Sequence, residues 1–419
     1  MKPTIVTIFD GDSAMSDGNP WSGQGLPDAH WSGTSYSTPA AAAAAAIIRQ
    51  YFVDGWYPAG RPVAANSVNP SAALIRAMLI ASGQQVTGGG TVSRSPTDTW
   101  PNNEQGFGRV LLSRILPIAS AGDTFRTQVI DEKDGLLTGD SVTNTFHVAN
   151  VGPVKFVLTW NDFPGTLGSS KALVNDLDLE VRAPDGTIYH GNHFGLFAEG
   201  QSLPGLSAFD TTNVEEAVIL RSAMTGDWTV RVIGSDVPVG PQPFALVATG
   251  TVDGSYGRVL LDRVAYSEKA TINVTVEDSS ATSVIVHVNS SLESTGEDVA
   301  LVQGGLEELW RGSIATAFGT AAPDGILQVR EGDTITVTYQ DLSPAHRAIA
   351  TAKVLASGPT VHDVTVTGVR ATTATVEWLT NEPATTEVRY GTIVSSLGST
   401  EASTDLVTRH AMPLTALTP

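Results

Sequence analysis

Gly33-Thr34-Ser35-Tyr36-Ser37-Thr38-Pro39 runs into unbroken alanine at residues 40–46 and then Ile47-Ile48-Arg49. Alanine is the strongest helix former, and proline is tolerated only in a helix's first turn. The stretch therefore predicts a helix that opens at this small-residue cluster, with Ser35 at its N-terminal end. Unpaired backbone N–H groups and the positive end of the helix dipole favour developing negative charge there. A serine so placed suits a nucleophile whose attack creates an oxyanion. An N-cap serine would account for Ser35 alone, but not for Gly33-Thr34 and Thr38-Pro39 occurring together.

Working outward, Asn69-Pro70-Ser71 predicts the start of a second helix over 72–81, with Asn69 as N-cap and Gly83 as its stop. Leu74, Ile75, Met78 and Leu79 recur at helical spacing. A polar loop with Gly88-Gly89-Gly90 follows, and Gly106-Phe107-Gly108-Arg109-Val110 leads to a short helix over 111–116. This order resembles the subtilisin-like serine proteases, whose serine motif reads Gly-Thr-Ser-x-[Ala/Ser]-[Ser/Thr]-Pro before a small-residue helix. The resemblance makes Ser35 the nucleophile, with Gly33, Thr34, Thr38 and Pro39 shaping its turn and helix start. Lys2-Pro3-Thr4 falls where the family has Lys-Pro-Asp, whereas Ile8-Phe9-Asp10-Gly11-Asp12 replaces the usual Ala-Pro-Gly.

The family order is Asp, His, then Ser, with an oxyanion-hole Asn between His and Ser. Only 34 residues precede Ser35. Of the histidines, His30 lies on the expected approach loop. His147, His190, His193, His287, His346, His362 and His410 lie in segments that read as β modules. The expectation is a C-terminal piece of a longer protease, without the N-terminal half of its catalytic domain.

From about residue 121 the hydrophobic period shortens to two. Phe146–Asn150, 155–160, 178–182, 227–232 and 243–249 read as strands, separated by turns at Pro184-Asp185-Gly186 and Thr225-Gly226-Asp227. Trp160-Asn161-Asp162, residues 173–179, Ala183-Pro184-Asp185-Gly186 and residues 237–242 resemble the jelly-roll barrel that follows the catalytic domain in some large subtilases. Further strands are expected at 270–277, 283–288, 298–302 and 333–339. From Gly358 the chain resembles a fibronectin type III module, with strands at 374–378 and 386–390 around Trp378. The expected fold class is thus mixed: a helical remnant of a subtilisin-like α/β domain (1–120), then all-β modules. These are a jelly-roll barrel (121–251), a β-sandwich (252–357) and a truncated fibronectin type III-like module (358–419).

The net charge of −19 disfavours nucleic acid and anionic membranes as partners. No apolar run is long enough for a transmembrane helix. The absence of cysteine removes disulfides, thiolate metal sites and a cysteine nucleophile. Asp176 and Asp178 lie two apart on an expected strand and so share a face with Val174 and Glu180. That face is either solvated, or its like charges are bridged by a structural Ca²⁺. His190-Gly191-Asn192-His193 reads as a loop rather than a metal pair. The sequence thus points to a secreted or cell-surface serine endopeptidase acting on protein or peptide substrates, with no cofactor needed for the chemistry. The alternative is a secreted, non-enzymatic array of adhesive or structural β modules.

Overall fold

The computed structural model describes residues 4–7, 10–13, 29–32, 34–86, 100–103, 105–119, 126–165, 168–169, 171–195, 201–205, 208–253, 256–303, 309–343, 345–355, 359, 361–391, 398–415 and 417. Gly33, Lys2-Pro3, Ile8-Phe9 and the loop at 88–90 lie outside them. The described residues are mostly β-sheet, with two α-helices, α1 (Thr34–Val53) and α2 (Ala72–Ser82).

Helix α1 begins one residue before Ser35, so Pro39 stands in its second turn rather than at its start. A proline there lacks the N–H that would bond the carbonyl four residues back, which is that of Ser35. The cap of α2 is Ser71 rather than Asn69, and its hydroxyl accepts from Leu74 N at 3.0 Å. A long-range contact sets this choice: Ser71 N donates to Asp131 Oδ2 at 2.9 Å. Asn69 instead accepts from Arg49 Nη2 at 3.0 Å. The helix expected over 111–116 is a single 3₁₀ turn, Leu112–Arg114.

Strands β1 (Asp10–Ser13) and β2 (Ala29–Ser32) form an antiparallel hairpin that pairs Asp12 with His30. His30 is therefore in a strand, not a loop. Next come β3 (Arg126–Leu136), β4 (Ser141–Val148), β5 (Gly152–Trp160), β6 (Asp176–Arg182), β7 (Ile188–Phe194), β8 (Ser202–Pro204), β9 (Glu215–Ala223), β10 (Gly226–Asp236) and β11 (Gln242–Gly250). They lie in two sheets, ordered β3-β11-β5-β9 and β4-β10-β6-β7-β8. Phe146, Phe156, Trp160, Trp228 and Phe244 share the core between them.

The four-stranded sheet is buried on its other face too. Val157, Ala217, Ile219, Ala245 and Val247 pack against Ile48 and Phe52 of α1 and Leu74 and Met78 of α2. Burial on both sides explains the near-continuous apolar run of β5, where a one-sided sheet would alternate. The helical segment carrying Ser35 is thereby docked on this sheet.

The next set is β12 (Arg258–Leu261), β13 (Ala265–Tyr266), β14 (Thr271–Glu277), β15 (Val284–Ser290), β16 (Glu297–Gln303), β17 (Leu309–Ala317), β18 (Ile326–Gln328), β19 (Thr334–Leu342) and β20 (Ala345–Val354). It surrounds a second core that includes Tyr266, Ile272, Val286, Leu327 and Val337. A single bridge, Ala350 to Asn144, joins β20 to β4 and makes the ladders continuous.

The last sheet is β21 (Val361–Thr367), β22 (Ala374–Tyr390) and β23 (Ser399–Leu414). Two strands were expected where β22 is one 17-residue strand. Its register with β23 shifts between Leu379 and Ala384, and Pro383 falls in that irregular stretch. A bulge accommodates a residue without an N–H. Trp378 is buried as expected, stacked on His410 with ring centroids 4.9 Å apart.

Candidate functional site

Ser35 is the second residue of α1 and is exposed. Its backbone N–H is among the first four of the helix, which have no intrahelical partner. Segment 4–7 steadies this end of the helix. Val6 pairs in parallel with Arg109, and Thr7 Oγ1 donates to the Ser37 carbonyl at 2.8 Å. Thr38 Oγ1 donates to the Thr34 carbonyl at 2.9 Å and so tightens the first turn. Thr34, Thr38 and Pro39 are exposed beside Ser35. Among the described residues, nothing hydrogen-bonds to the Ser35 hydroxyl. Ser35 is thus presented on a helix end, with no imidazole bonded to it among the described residues.

The second constellation is acidic and buried. Asp176 and Asp178 on β6 are 4% and 2% exposed, so their face is interior and the solvated alternative does not hold. The reason is the neighbouring strand β9, whose Glu216 is 0% exposed and accepts from Leu179 N at 2.7 Å. Ser235 donates to Asp178 Oδ2, and Lys171 Nζ reaches Asp176 Oδ2 at 3.4 Å. The remaining oxygens, Asp176 Oδ1, Asp178 Oδ1 and Glu216 Oε1, are buried and have no hydrogen-bond partner.

Burial, together with the neighbouring carboxylates Asp176 and Asp210, pushes Asp178 up to about 6 despite its bond from Ser235. Burial likewise lifts Glu216 well above the usual carboxylate range, reinforced by Asp178, Asp210 and Asp176. Buried carboxylates in this state are neutralised by protons or by a cation. Their all-oxygen donor set is that of Ca²⁺. Glu216 carries no sequence signal linking it to Asp178, because the two are joined only through sheet packing.

His190 and His193 lie on β7 rather than in a loop. Both direct a ring nitrogen at the Ala208 carbonyl, at 3.1 and 2.7 Å. Sequence reasoning also missed His147, Asp227 and His346, which come together from three strands. Among the described residues, no helix is long and apolar enough to cross a membrane.

No protein-family model matches the chain. It is 32% identical over 257 residues to tagD of Dictyostelium discoideum, a serine protease/ABC transporter B family protein, covering 52% of this chain and 14% of that one. It is 29% identical over 297 residues to tagB of the same family and organism, covering 60% and 15%. The chain thus spans about one seventh of the length of the curated relatives it matches. Among solved structures, a DUF4785 family protein from Legionella pneumophila aligns over 71% of this chain and 84% of its own at 9% identity and a TM-score of 0.19, a likeness too low to carry any argument. Across about half its length, then, the chain is similar to proteins named as serine proteases.

Proposed function

We propose that Ser35 is the nucleophile of a subtilisin-like serine endopeptidase, secreted or at the cell surface, acting on protein or peptide substrates. The observation that carries this reading is the exposed Ser35 hydroxyl in the first turn of α1, within the Thr34-Ser35-x-Ser37-Thr38-Pro39 pattern. The relatives' names support it. Ser35 Oγ attacks the scissile carbonyl carbon, and a histidine base outside the described side chains takes its proton. The Ser35 backbone N–H donates to the oxyanion as it forms. Collapse expels the amine and leaves an acyl-enzyme, which water then hydrolyses.

The jelly-roll-like, sandwich-like and fibronectin-like modules steady the catalytic segment by docking against it. Asp176 and Asp178 hold a structural Ca²⁺ beside the buried Glu216, and the ion neutralises buried charge and takes no part in the chemistry. The three carboxylates do not converge within 4.8 Å of one another. The ion therefore draws on two of them, with backbone or water oxygens completing its shell.

The test is casein hydrolysis by the natural gene product that carries this segment. Ser35→Ala lowers kcat/KM by at least about 10³-fold with little change in KM. Undiminished hydrolysis would overturn the assignment. The second reading, a non-enzymatic β-module array, draws on the predominance of strands among the described residues. It requires that the gene product show no serine-dependent hydrolysis at all.

A further inference from the structure

His147 lies on β4, Asp227 near the start of β10 and His346 on β20. Asp227 stands directly opposite His147 in the β4–β10 ladder. The bridge between Ala350 and Asn144 brings β20 alongside and carries His346 in from the following strand set. His147 Nδ1 is 2.6 Å from Asp227 Oδ1, and His346 Nδ1 is 2.9 Å from the same oxygen. Among the described residues, this is the one trio of histidine and acidic side chains whose ligand atoms all lie within 4.8 Å of one another.

Two further observations point to a ligand. His346 is only 2% exposed, yet its Nδ1 has no hydrogen-bond partner despite the short contact. The rings are also held in place: Tyr256 stacks on His147 with centroids 3.4 Å apart and meets His346 edge-on at 5.8 Å. Meanwhile the Asp227 side chain is 42% exposed and opens the group to solvent.

Two imidazole nitrogens and one carboxylate oxygen are the donor set of zinc and its neighbours, and too few oxygens for calcium. We propose that His147, Asp227 and His346 bind one divalent transition-metal ion of the zinc class, which clips β4 and β10 to β20. Solvent supplies the fourth ligand from the open side of Asp227. The ion replaces the His147–Asp227 hydrogen bond, so those two atoms part to roughly 3.3 Å, as tetrahedral bonds of ~2.0–2.1 Å require. None of this depends on the protease reading.

The test uses the full chain, stripped with chelator and kept in excess Ca²⁺ to fill carboxylate sites, then titrated with Co²⁺. One equivalent produces the visible ligand-field absorption of a four- or five-coordinate site, and one equivalent of Zn²⁺ abolishes it. Asp227→Asn, at a half-exposed position, weakens Co²⁺ binding at least about tenfold and removes the Zn²⁺-induced rise in Tm. His147→Gln does the same. A Co²⁺ spectrum no different from the aqua ion, or a saturable signal unchanged in both variants, would overturn the site.

Discussion

Arg258 Nη2 stands 2.6 Å from Glu277 Oε2 where three parts of the chain meet. The same nitrogen donates to Tyr57 Oη at 3.0 Å and to the Val129 carbonyl at 3.1 Å. Tyr57 Oη in turn accepts from Val129 N at 3.2 Å. Tyr57 belongs to the helical segment, Val129 to β3, and Arg258 and Glu277 to β12 and β14. One buried guanidinium thus ties the Ser35-bearing segment to both β-sheet cores. Burial holds the Tyr57 hydroxyl well above its usual range, with the Glu277 charge adding to it.

Arg258→Met leaves Glu277 without its cation and removes one of the two donors to Tyr57 Oη, Val129 N remaining. Removing one partner of a buried pair costs about 3–5 kcal/mol. Urea unfolding is expected to show that loss, with Tyr57→Phe costing about 1–2 kcal/mol. A change below about 0.5 kcal/mol for Arg258→Met would mean that the junction does not hold the segments together.

The carboxylates on β6 and β9 make an unusual combination of signs testable. In the absence of Ca²⁺, Asp178→Asn removes a negative charge that burial disfavours and should raise stability at pH 8. In Ca²⁺ the order should reverse, because the wild type gains about 2.7 kcal/mol at a ligand concentration a hundredfold above Kd. Calorimetry of both proteins with and without Ca²⁺ checks this. A variant still stabilised by Ca²⁺ to the wild-type extent would place the ion elsewhere.

Stability without Ca²⁺ should fall as pH rises. Burial raises Glu132 from 4.5 to about 8 and Asp178 from 3.8 to about 6. A raised carboxyl pKa means the folded state binds more protons than the unfolded state. Its stabilising contribution is complete below the unfolded value and lost as pH climbs through the folded one. The decline should therefore run from about pH 4 to pH 8, and Glu132→Gln should flatten its upper part. Denaturation midpoints measured across that range would contradict this if they rose with pH.

The two helices and most strands of the first β set were legible because each depends on local pattern. Residues 40–46 are helical by propensity, and residues 155–160 form a strand by their run of apolar side chains. What escaped depends on packing between distant segments. Asp176 and Asp178 were placed correctly on one strand, but their environment is set by Glu216 and the adjoining sheet. The cap of α2 moved from Asn69 to Ser71 because Asp131 reaches it from β3. His147, Asp227 and His346 meet only through ladders closed across 80 residues or more, and no spacing rule encodes that. The two strands expected at 374–378 and 386–390 are one strand, because the structure accommodates Pro383 within an irregular stretch.

Ser35 is exposed, and among the described residues no side chain hydrogen-bonds to its hydroxyl. Fluorophosphonate labelling of the chain should be lost in its Ser35→Ala variant. Rapid stoichiometric labelling of the chain by itself would show that a base is already beside the serine.

The most direct measurement is mass-spectrometric mapping of the fluorophosphonate adduct on the natural gene product that carries this segment. The expected result is one adduct, on Ser35, formed in step with loss of casein hydrolysis. Inactivation with the adduct on another residue, or full hydrolysis with Ser35 replaced by alanine, would contradict the assignment.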